Sequence, residues 1–439
     1  VGTEDGCFYF PSGYLQFPLE IISDPTIRKI YHHSLYDLDV LQDYCRPDTT
    51  NYCDTLVLAN MLGLPRALHQ LGNIVGQQSG NISLLKINNG TVEGSTEDVA
   101  LKCCLDCLAT LKAYNELISK VHQPSLEVDL NVIPVLIKMS RRGVKLDQDK
   151  VLELEETLTR DQQFYRDIIQ SKWGINPGSP LQLGQLLSKI GFFLPKSKSK
   201  VRLAVDDPVL EKINHPITAL VKEYRKAQKG IGTYIRPLSG FDRVYSRFHL
   251  DAVTGRISST KKENKDIASL NLQNIPGKKS VELGVSHYNL RAPMVPDKGF
   301  FLDMDANQVE LRIMAYMADD KVMQEVFERD GDIHRSTAAA IYSMEESSVS
   351  EAARAEGKLF NFAIPYGLSD DSLVEKFPGR NVEILKEQRK ALSSKYYRLW
   401  EWIAVQKEDS HKHGWAYDWS GRPIRLPEWE KRSDIERKA

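Results

Sequence analysis

Apolar positions along the chain recur mostly at helical spacing, so the sequence predicts a helix-rich protein with short strands between the helices. Residues 1–124 mix strand-like runs (CFYF, LLKI) with helical segments, which is typical of an α/β domain. One continuous helical stretch is expected from residue 126 through VLELEETLTRDQQFYRDIIQSKW, and a further helix should begin at Ser179-Pro180. Strands are expected in YSRFHLDAVTGRISST, helices from 308 to about 412, and a hairpin in GWAYDWSGRPIRLPEW.

The segment FLDMDANQVELRIMAYM, residues 301–317, breaks this patterning because carboxylates follow an apolar run. Residues 299–304 are expected to form a buried strand that ends at Asp303 and Asp305. A helix should follow, with Val309, Ile313 and Met317 on its apolar face. Carboxylate oxygen is the ligand type that Mg²⁺ prefers, and α/β sites commonly lie at carboxyl ends of strands. An aspartate before a helix is also a common N-cap, so both roles stay open here.

The segment EAARAEGKLFNFAIPYG, residues 351–367, places two cations and then two aromatic rings at intervals of four residues. These positions, which form one drifting stripe on a helix, are Arg354, Lys358, Phe362 and Tyr366. Cations bind phosphate oxygens and rings stack on flat bases, so the stripe suits a polyphosphate beside a base. An amphipathic helix with fortuitous charges is the alternative.

Composition adds little about partners, because 58 Lys and Arg against 59 Asp and Glu leave a net charge of −1. Basic residues nevertheless gather between Lys196 and Arg236, and this cluster is either a phosphate-binding face or an ordinary solvated surface. Cys104 and Cys107 form a lone CxxC within a helical pattern, so core packing is preferred over zinc. The sequence contains no apolar run long enough for a membrane span and no secretory signal at residue 1, so no membrane role is expected.

Several segments, in order along the chain, resemble the motifs of family A DNA polymerases, the bacterial polymerase I type. DMDANQVELR resembles their motif A, and RAEGKLFNFAIPYG resembles their motif B, RxxxKxxxFxxxYG. TGRISST with LNLQNIP, GDIHRSTAAAIY, and SGRPIRLPE with ERKA resemble three more motifs, and INPGSPLQLGQLL and YRKAQKGIGTY match the thumb pattern. The resemblance covers roughly residues 130–439. It implies a DNA-directed DNA polymerase that adds deoxynucleotides to a primer 3′ end by two-metal nucleotidyl transfer.

The resemblance also implies roles for individual residues. Asp305, with the backbone carbonyl of Ala306, would be a ligand of two Mg²⁺ ions, and Glu310 would be the steric gate against a ribose 2′-hydroxyl. The nucleotide would be contacted at its triphosphate by Arg354, Lys358 and His334, and at its base and sugar by Phe362 and Tyr366. Primer–template would be contacted by Arg256, Asn271, Gln273, Asn274, Gln308 and Arg437, with Lys229 on the duplex backbone.

The sequence departs from the family pattern within motif B and at its end. Ala363 replaces the usual Gly, and Pro365 should strain the motif B helix and bias Ile364 away from α conformation. The His-Asp-Glu motif that carries the family's second metal-binding aspartate does not follow Arg437. We therefore expect this sequence to be a fragment that does not polymerise alone.

The N-terminal part resembles a 3′–5′ exonuclease domain. KIYHHSLYDLDVL resembles the second exonuclease motif, with Asp37 as a metal ligand. LKCCLDCLATLKAYNEL resembles the third, with Asp106 as a metal ligand, although Lys102 replaces a Tyr and His33 an Asn. The first motif, Asp-x-Glu, should precede GCFYFP and is not found, so exonuclease activity of this fragment is not expected.

Together these patterns predict a multidomain α/β fold. The expected domains are a truncated exonuclease-like (ribonuclease H-like) domain at 1–124, a thumb at 125–238, a first part of the palm at 239–315, and fingers with the start of the return to the palm at 316–439. Expected partners of this monomer are primer–template DNA and deoxynucleoside triphosphates, with Mg²⁺ as cofactor, in the cytoplasm of a bacterium or a phage-infected cell. A non-catalytic DNA-binding remnant and a single-subunit RNA polymerase relative are the alternatives, and Glu310 argues against the second.

Overall fold

The computed structural model describes residues 1–3, 6–10, 16–79, 86–88, 91–93, 95–197, 203–250, 255–262, 264, 266–277, 282–283, 286–363, 373–374, 377 and 379–425. Contacts divide the chain into two compact units. The first unit comprises residues 1–131 together with 304–439, and the second comprises residues 132–303. Among the described residues, no helix combines the length and hydrophobicity needed to cross a membrane.

The N-terminal part of the first unit mixes strands and helices, as the sequence predicts. Its strands are β1 (Gly2–Thr3), β2 (Gly6–Cys7), β3 (Lys29–Tyr31), β4 (Tyr52–Asp54), β5 (Lys86–Asn88) and β6 (Thr91–Glu93). Its helices are α1 (Gln16–Ser23), α2 (Ser34–Leu41), α3 (Thr55–Met61), α4 (Leu68–Ile74) and α5 (Thr96–Leu117), with α6 (Gln123–Arg142) beginning after them. Strands β3 and β4 pair in parallel with α2 between them, which forms a βαβ unit.

Asp54, at the end of β4, organises the starts of two helices of this unit. Its carboxylate is 2% exposed and accepts hydrogen bonds from the N–H groups of His33, Ser34 and Leu56 and from the Ser34 hydroxyl. The unpaired N–H groups at the starts of α2 and α3 are therefore satisfied by one buried carboxylate. Sequence analysis did not identify this role.

The C-terminal part of the first unit is a helical assembly. Its elements are α11 (Val309–Met317), α12 (Lys321–Glu328), α13 (Ile333–Tyr342), α14 (Glu351–Ala363), α15 (Val382–Lys395), α16 (Tyr397–His413), β15 (Trp415–Tyr417) and β16 (Pro423–Arg425). The buried core includes Leu311, Ala315, Phe327, Phe360, Leu392, Tyr396 and Leu399. Strands β15 and β16 pair antiparallel, so the predicted hairpin is confirmed. Arg422 beside β16 forms an ion pair of 2.6 Å with the largely buried Asp129 of α6.

The second unit combines a small sheet with long helices. Its helices are α7 (Gln148–Trp173), α8 (Pro180–Lys189), α9 (Asp207–Leu210) and α10 (Pro216–Lys229), and a π-helical turn, Gly230–Ile235, continues α10. Its strands are β7 (Val144–Leu146), β8 (Arg243–Tyr245), β9 (Arg247–His249), β10 (Ser258–Thr260), β11 (Ala268–Ser269), β12 (Glu282–Leu283), β13 (Ser286–His287) and β14 (Met294–Val295). The four-stranded sheet has the order β11-β8-β7-β14. Ser179 caps α8 and Pro180 is its first residue, as predicted.

The predicted continuous helix from residue 126 is wrong, because β7 separates α6 from α7. Gly143 ends α6 with φ of 60°, a left-handed conformation that glycine adopts without strain. A side chain there would also collide with the carbonyl of Val244, 2.6 Å from an added Cβ. Asp147 then caps α7 by accepting a hydrogen bond from the N–H of Lys150.

The predicted buried strand at 299–304 is also wrong. Residues 301–306 form no strand, and Phe300, Phe301 and Leu302 are 83%, 58% and 72% exposed. An apolar run becomes a strand only where a neighbouring strand supplies hydrogen bonds, and no described strand pairs with this one. Helix α11 does follow, but its buried face carries Leu311 and Ala315, while Val309 is 44% exposed.

Candidate active site

Helices α13 and α14 approach each other closely enough to bring charged and aromatic side chains together. Gly357 of α14 makes this possible, because an added Cβ would collide with the His334 carbonyl oxygen and lie 2.9 Å from the Ala338 nitrogen of α13. Asp332 begins α13 and accepts hydrogen bonds from the N–H groups of His334 and Arg335. The side chain of His334 therefore projects from the first turn of α13 toward α14.

In the described part of α14, the predicted stripe runs from the half-buried Arg354 to the exposed Lys358 and Phe362. Arg354 is half-buried and forms an ion pair with the carboxylate of Asp332. Lys358 is exposed, and its ammonium lies 5.5 Å from the ring centre of Phe362, which is 49% exposed. The ring of His334 lies 6.1 Å from the same phenyl ring. Two cations and an aromatic ring thus share one surface, and the ring of His334, a residue that is only 4% exposed, lies buried beside it.

Electrostatics at this surface favour a neutral histidine between charged neighbours. Burial lowers the pKa of His334, and the charges of Arg354 and Lys358 lower it further although Asp332 raises it. Burial raises the pKa of Asp332, but hydrogen bonds from Arg354 and from two backbone N–H groups bring it below the usual aspartate value. The same contact raises the pKa of Arg354. The surface therefore offers cations to a bound anion, and an uncharged, buried imidazole lies next to them.

Two residues of this surface were not identified from the sequence. Asp332 links Arg354 to the start of α13, and the Asp-x-His spacing before a helix was a usable N-cap signal. Asn361 is fully buried between His334 and Thr337. Nothing in the local pattern indicated that role, because an amide in a helix is ordinary until its partners are known.

The acidic stretch before α11 is exposed. Residues 303–307, including Asp303, Asp305 and Ala306, are exposed, and Glu310 lies in the first turn of α11. Gln308 adopts a left-handed conformation with φ of 53°, which is uncommon for a residue other than Gly, Asn or Asp. The Asp305 carboxylate and the Ala306 carbonyl are oxygen donors of the type that Mg²⁺ takes. In the described part of the chain, however, no group of three or more His, Cys, Asp or Glu side chains is arranged to hold a metal ion.

The second unit carries its own cluster of predicted site residues. The side chain of Asn271 accepts a hydrogen bond from the Ser259 hydroxyl (2.6 Å) and donates to the Ser259 carbonyl. Gln273 donates to the Ile257 carbonyl at 2.9 Å, and Asn274 accepts at its carbonyl from the Tyr234 hydroxyl at 3.0 Å. These contacts join the TGRISST and LNLQNIP segments, and Arg256 lies exposed beside them.

The basic helix α10 is largely neutralised by its neighbours. Lys222, Arg225 and Lys226 each pair with a carboxylate, at 3.4, 3.1 and 2.7 Å. Lys229 is exposed and pairs with no carboxylate among the described residues. Tyr366 and Arg437, together with Ile364 and Pro365, lie outside the described residues.

The two exonuclease-like residues, Asp37 and Asp106, have different electrostatic surroundings. The ammonium of Lys102 forms an ion pair with Asp106 one turn along α5, and both side chains are about a quarter exposed (26% and 27%). Burial, and then the charge of Asp54, raises the pKa of Asp37 to about 7, so this carboxyl group is partly protonated near neutral pH. The Asp106 carboxylate is thus paired with the Lys102 ammonium of the same helix. The metal-binding role of Asp37 and Asp106 stays a prediction. No reaction step is assigned to them.

Comparisons with known proteins concern the family and the fold of the chain. The model of DNA polymerase family A matches residues 148–439. DNA polymerase I of Caldicellulosiruptor bescii is 28% identical over 86% of this chain and 43% of its own length. DNA polymerase I of Pseudomonas aeruginosa is 25% identical over 95% of this chain and 48% of its own length, so the chain spans less than half of these relatives. The chain also resembles a solved structure, the POL domain of Pol1 from M. smegmatis in complex with DNA primer-template and dNTP. The match covers 98% of this chain and 74% of that one, with a TM-score of 0.75. At 22% identity, this is a similarity of fold.

Proposed function

The chain belongs to DNA polymerase family A, and from that membership we propose that it carries the nucleotide-binding part of a template-directed DNA polymerase that extends a primer 3′ end. The observation that carries this proposal is the surface of Arg354, Lys358 and Phe362 on α14, with the buried His334 of the closely packed α13 next to it. Such a surface has the chemistry to bind a triphosphate and a flat base at once.

Each side chain of this surface has a distinct part in the proposal. Lys358 and Arg354 neutralise phosphate oxygens, and Asp332 directs the Arg354 guanidinium. His334 donates a hydrogen bond without adding charge. Phe362, with half of its ring surface exposed, offers a face to the base. Tyr366, four residues further along the sequence, would extend this face and remains part of the proposal.

The metal-dependent part of the proposal rests on Asp305 and the carbonyl of Ala306. These oxygens supply part of a coordination shell, and oxygens of the triphosphate would supply more. When bound, a pair of Mg²⁺ ions stabilises charge on the attacking and leaving oxygens in nucleotidyl transfer. In the first turn of α11, Glu310 would exclude the ribose 2′-hydroxyl.

Primer–template is the proposed partner of a second set of residues. In the second unit these are Arg256, Asn271, Gln273, Asn274 and Lys229, and in the first unit they are Gln308 and Arg437. The contacts of Asn271 and Gln273 with the 257–259 segment hold two sequence motifs on one surface, which supports a shared nucleic-acid contact. The division into an exonuclease-like domain (1–124), thumb (125–238), palm (239–315) and fingers (316–439) belongs to the same proposal, as does a monomeric state.

A substitution at Asp305 tests the proposed chemistry. In a polypeptide that contains these residues and extends primers, Asp305→Asn should lower primer extension by at least ~10³-fold, since bound metal supplies several kcal/mol of charge stabilisation. Primer–template affinity, measured by fluorescence anisotropy, should stay within twofold of the unsubstituted protein. Asp303→Asn is the matched control and should retain most of the extension rate. Normal extension by Asp305→Asn would contradict the assignment.

A further inference from the structure

Asn361 is a buried polar residue whose side chain joins α14 to the histidine of the proposed nucleotide surface. It is 0% exposed, and its amide nitrogen lies 2.9 Å from His334 Nδ1 and 3.3 Å from the carbonyl oxygen of Ile333. Its amide oxygen accepts a hydrogen bond of 2.9 Å from the hydroxyl of Thr337. A buried amide with this many partners is fully committed to the packing of α13 against α14.

The partners of Asn361 determine which way its amide group faces. A backbone carbonyl oxygen can only accept a hydrogen bond, so the atom of Asn361 beside Ile333 must be the nitrogen. That nitrogen carries two hydrogens and no lone pair for accepting. One hydrogen goes to Ile333, and the other points to His334 Nδ1. Therefore Nδ1 must be the accepting nitrogen of the imidazole, and the ring proton must be on Nε2.

We propose that Asn361 is a positioning residue that keeps His334 a neutral Nε2–H donor for a phosphate oxygen of the incoming deoxynucleoside triphosphate. The inference rests on the proposed function for the identity of that acceptor, but the tautomer follows from the contacts of Asn361 alone. Hydrogen bonds on one ring nitrogen commonly decide which proton the other presents.

The arrangement also opposes protonation of the ring. An imidazolium would direct a second N–H, on Nδ1, against the amide nitrogen of Asn361, which can only donate. The charged groups that face His334 from its own helix and from α14 are Asp332, Arg354 and Lys358, and burial with the two cations lowers its pKa. A triphosphate bound beside the ring would otherwise favour a proton on it. With Asn361 in place, His334 donates a hydrogen bond as a neutral ring, and the positive charge comes from Arg354 and Lys358 alone.

A network of buried hydrogen bonds holds the amide oxygen of Asn361 in place. The Thr337 hydroxyl donates to Asn361, and its oxygen lies 3.3 Å from the hydroxyl of Tyr396, which is buried at the junction of α15 and α16. Tyr396 also lies 3.4 Å from the Ser336 hydroxyl, whose oxygen accepts from the ammonium of Lys395 at 2.8 Å. Because three helices and the residue between α15 and α16 contribute to this network, the amide cannot rotate without breaking several buried contacts.

Nitrogen-15 NMR of the histidine-labelled 439-residue chain tests the proposal directly. The His334 resonances are assigned by their loss in His334→Gln, and the protonated nitrogen is identified from long-range proton couplings. We expect a protonated Nε2 and an unprotonated Nδ1 at pH 7. Asn361→Asp should place a proton on Nδ1, because a carboxylate can only accept a hydrogen bond and therefore favours an Nδ1–H group. An unsubstituted chain with the proton on Nδ1, or an Asn361→Asp chain with unchanged couplings, would overturn the proposal.

Thr337→Val is the matched control for loss of packing. It removes the two hydrogen bonds of the Thr337 hydroxyl from the same buried network but leaves the Asn361 amide nitrogen between Ile333 and His334. The His334 tautomer should therefore be unchanged in this variant, and a switch to Nδ1–H would count against Asn361 as the determining residue. The measurement on the unsubstituted chain decides the tautomer even if Asn361→Asp does not fold.

Addition of a deoxynucleoside triphosphate with Mg²⁺ separates this inference from the proposed function. The Nε2 resonance should move on saturation while Nδ1 keeps its position, because the phosphate oxygen approaches only the outer nitrogen. If the tautomer is as expected but the Nε2 resonance does not move when the triphosphate is added, His334 does not contact the phosphate. Asn361 then does not position a hydrogen-bond donor for the nucleotide, and the proposal is wrong. If Nε2 responds but Nδ1 carries the proton, the function stands and the role of Asn361 is wrong.

Discussion

At the residue scale, Glu310 is the side chain from which we expect sugar discrimination. It lies exposed in the first turn of α11, five residues after the proposed metal ligand Asp305. Glu310→Ala should raise ribonucleotide insertion relative to deoxyribonucleotide insertion by roughly 10- to 100-fold, because removal of a steric block of this size corresponds to about 1–3 kcal/mol of discrimination. The ratio of kcat/KM values for the two sugars, measured by single-nucleotide extension in the polymerase-competent polypeptide, gives the answer.

Glu325→Ala provides the comparison for Glu310. Glu325 is an exposed carboxylate on the neighbouring helix α12 and has no place in the proposed site. Its removal changes net charge by the same amount and should leave sugar selectivity unaltered. An equal change in both variants would mean that charge, rather than the shape of the gate, controls the ratio.

At the scale of elements, the packing of α13 against α14 depends on Gly357. Gly357→Ala adds a methyl group against the backbone of His334 and Ala338, which cannot move as a side-chain tip can. We expect a net loss of roughly 1–3 kcal/mol in the free energy of unfolding, as overpacked interiors usually show, despite the better helix propensity of alanine. Urea denaturation monitored by circular dichroism measures this change. The same separation of the helices should weaken triphosphate binding.

Gly232→Ala is the control for backbone effects of a glycine substitution. Gly232 lies in the π-helical turn after α10, and an added Cβ would meet nothing within 4 Å among the described residues. This variant should be neutral or slightly more stable, since alanine restricts the unfolded chain. A similar loss of stability in both variants would show that contact with α13 is not the cause.

At the scale of the whole molecule, local charge placement matters more than the net charge of −1. Three cations of α10 are paired with carboxylates, whereas Lys229 is exposed and unpaired in the described part of the chain. Primer–template affinity should fall steeply with salt, and Lys229→Ala should reduce the slope of log K against log salt by about 1. Anisotropy titrations over a salt series measure the slope.

The neighbouring Lys226 tests the selectivity of that effect. Lys226 pairs with Glu223 at 2.7 Å on the same helix, so its charge is already neutralised. Lys226→Ala should therefore change the slope much less than Lys229→Ala. A salt-independent affinity for primer–template would contradict a phosphate-binding role for this helix altogether.

Much of the element pattern and part of the candidate site could be predicted from local sequence. Ser179-Pro180 starts α8, and the hairpin at 415–425 forms around Ser420-Gly421, because caps and turns depend on residues close in the chain. The four-residue spacing of Arg354, Lys358 and Phe362 likewise defines one helix side as soon as the helix forms. Their alignment with His334 was expected only from family resemblance.

Other features required knowledge of distant partners. The apolar run at 300–302 predicts a strand, yet it pairs with no described strand and is exposed. Gly143 breaks the expected long helix at a point where the backbone of Val244 approaches it, about a hundred residues away. Asn361 shows no signal at all in its own helix, since both His334 and Thr337 come from α13.

The sequence by itself determined the family, the positions of most helices and the identity of the cations and rings offered to a nucleotide. Spacing along one element and motif order are local or linear properties, so they can be recognised without a fold. Only the tertiary structure decided that Asp332 pairs with Arg354 and that the amide nitrogen of Asn361 lies beside Nδ1 of His334. The state of a titratable or hydrogen-bonding group depends on partners that the chain brings together only on folding.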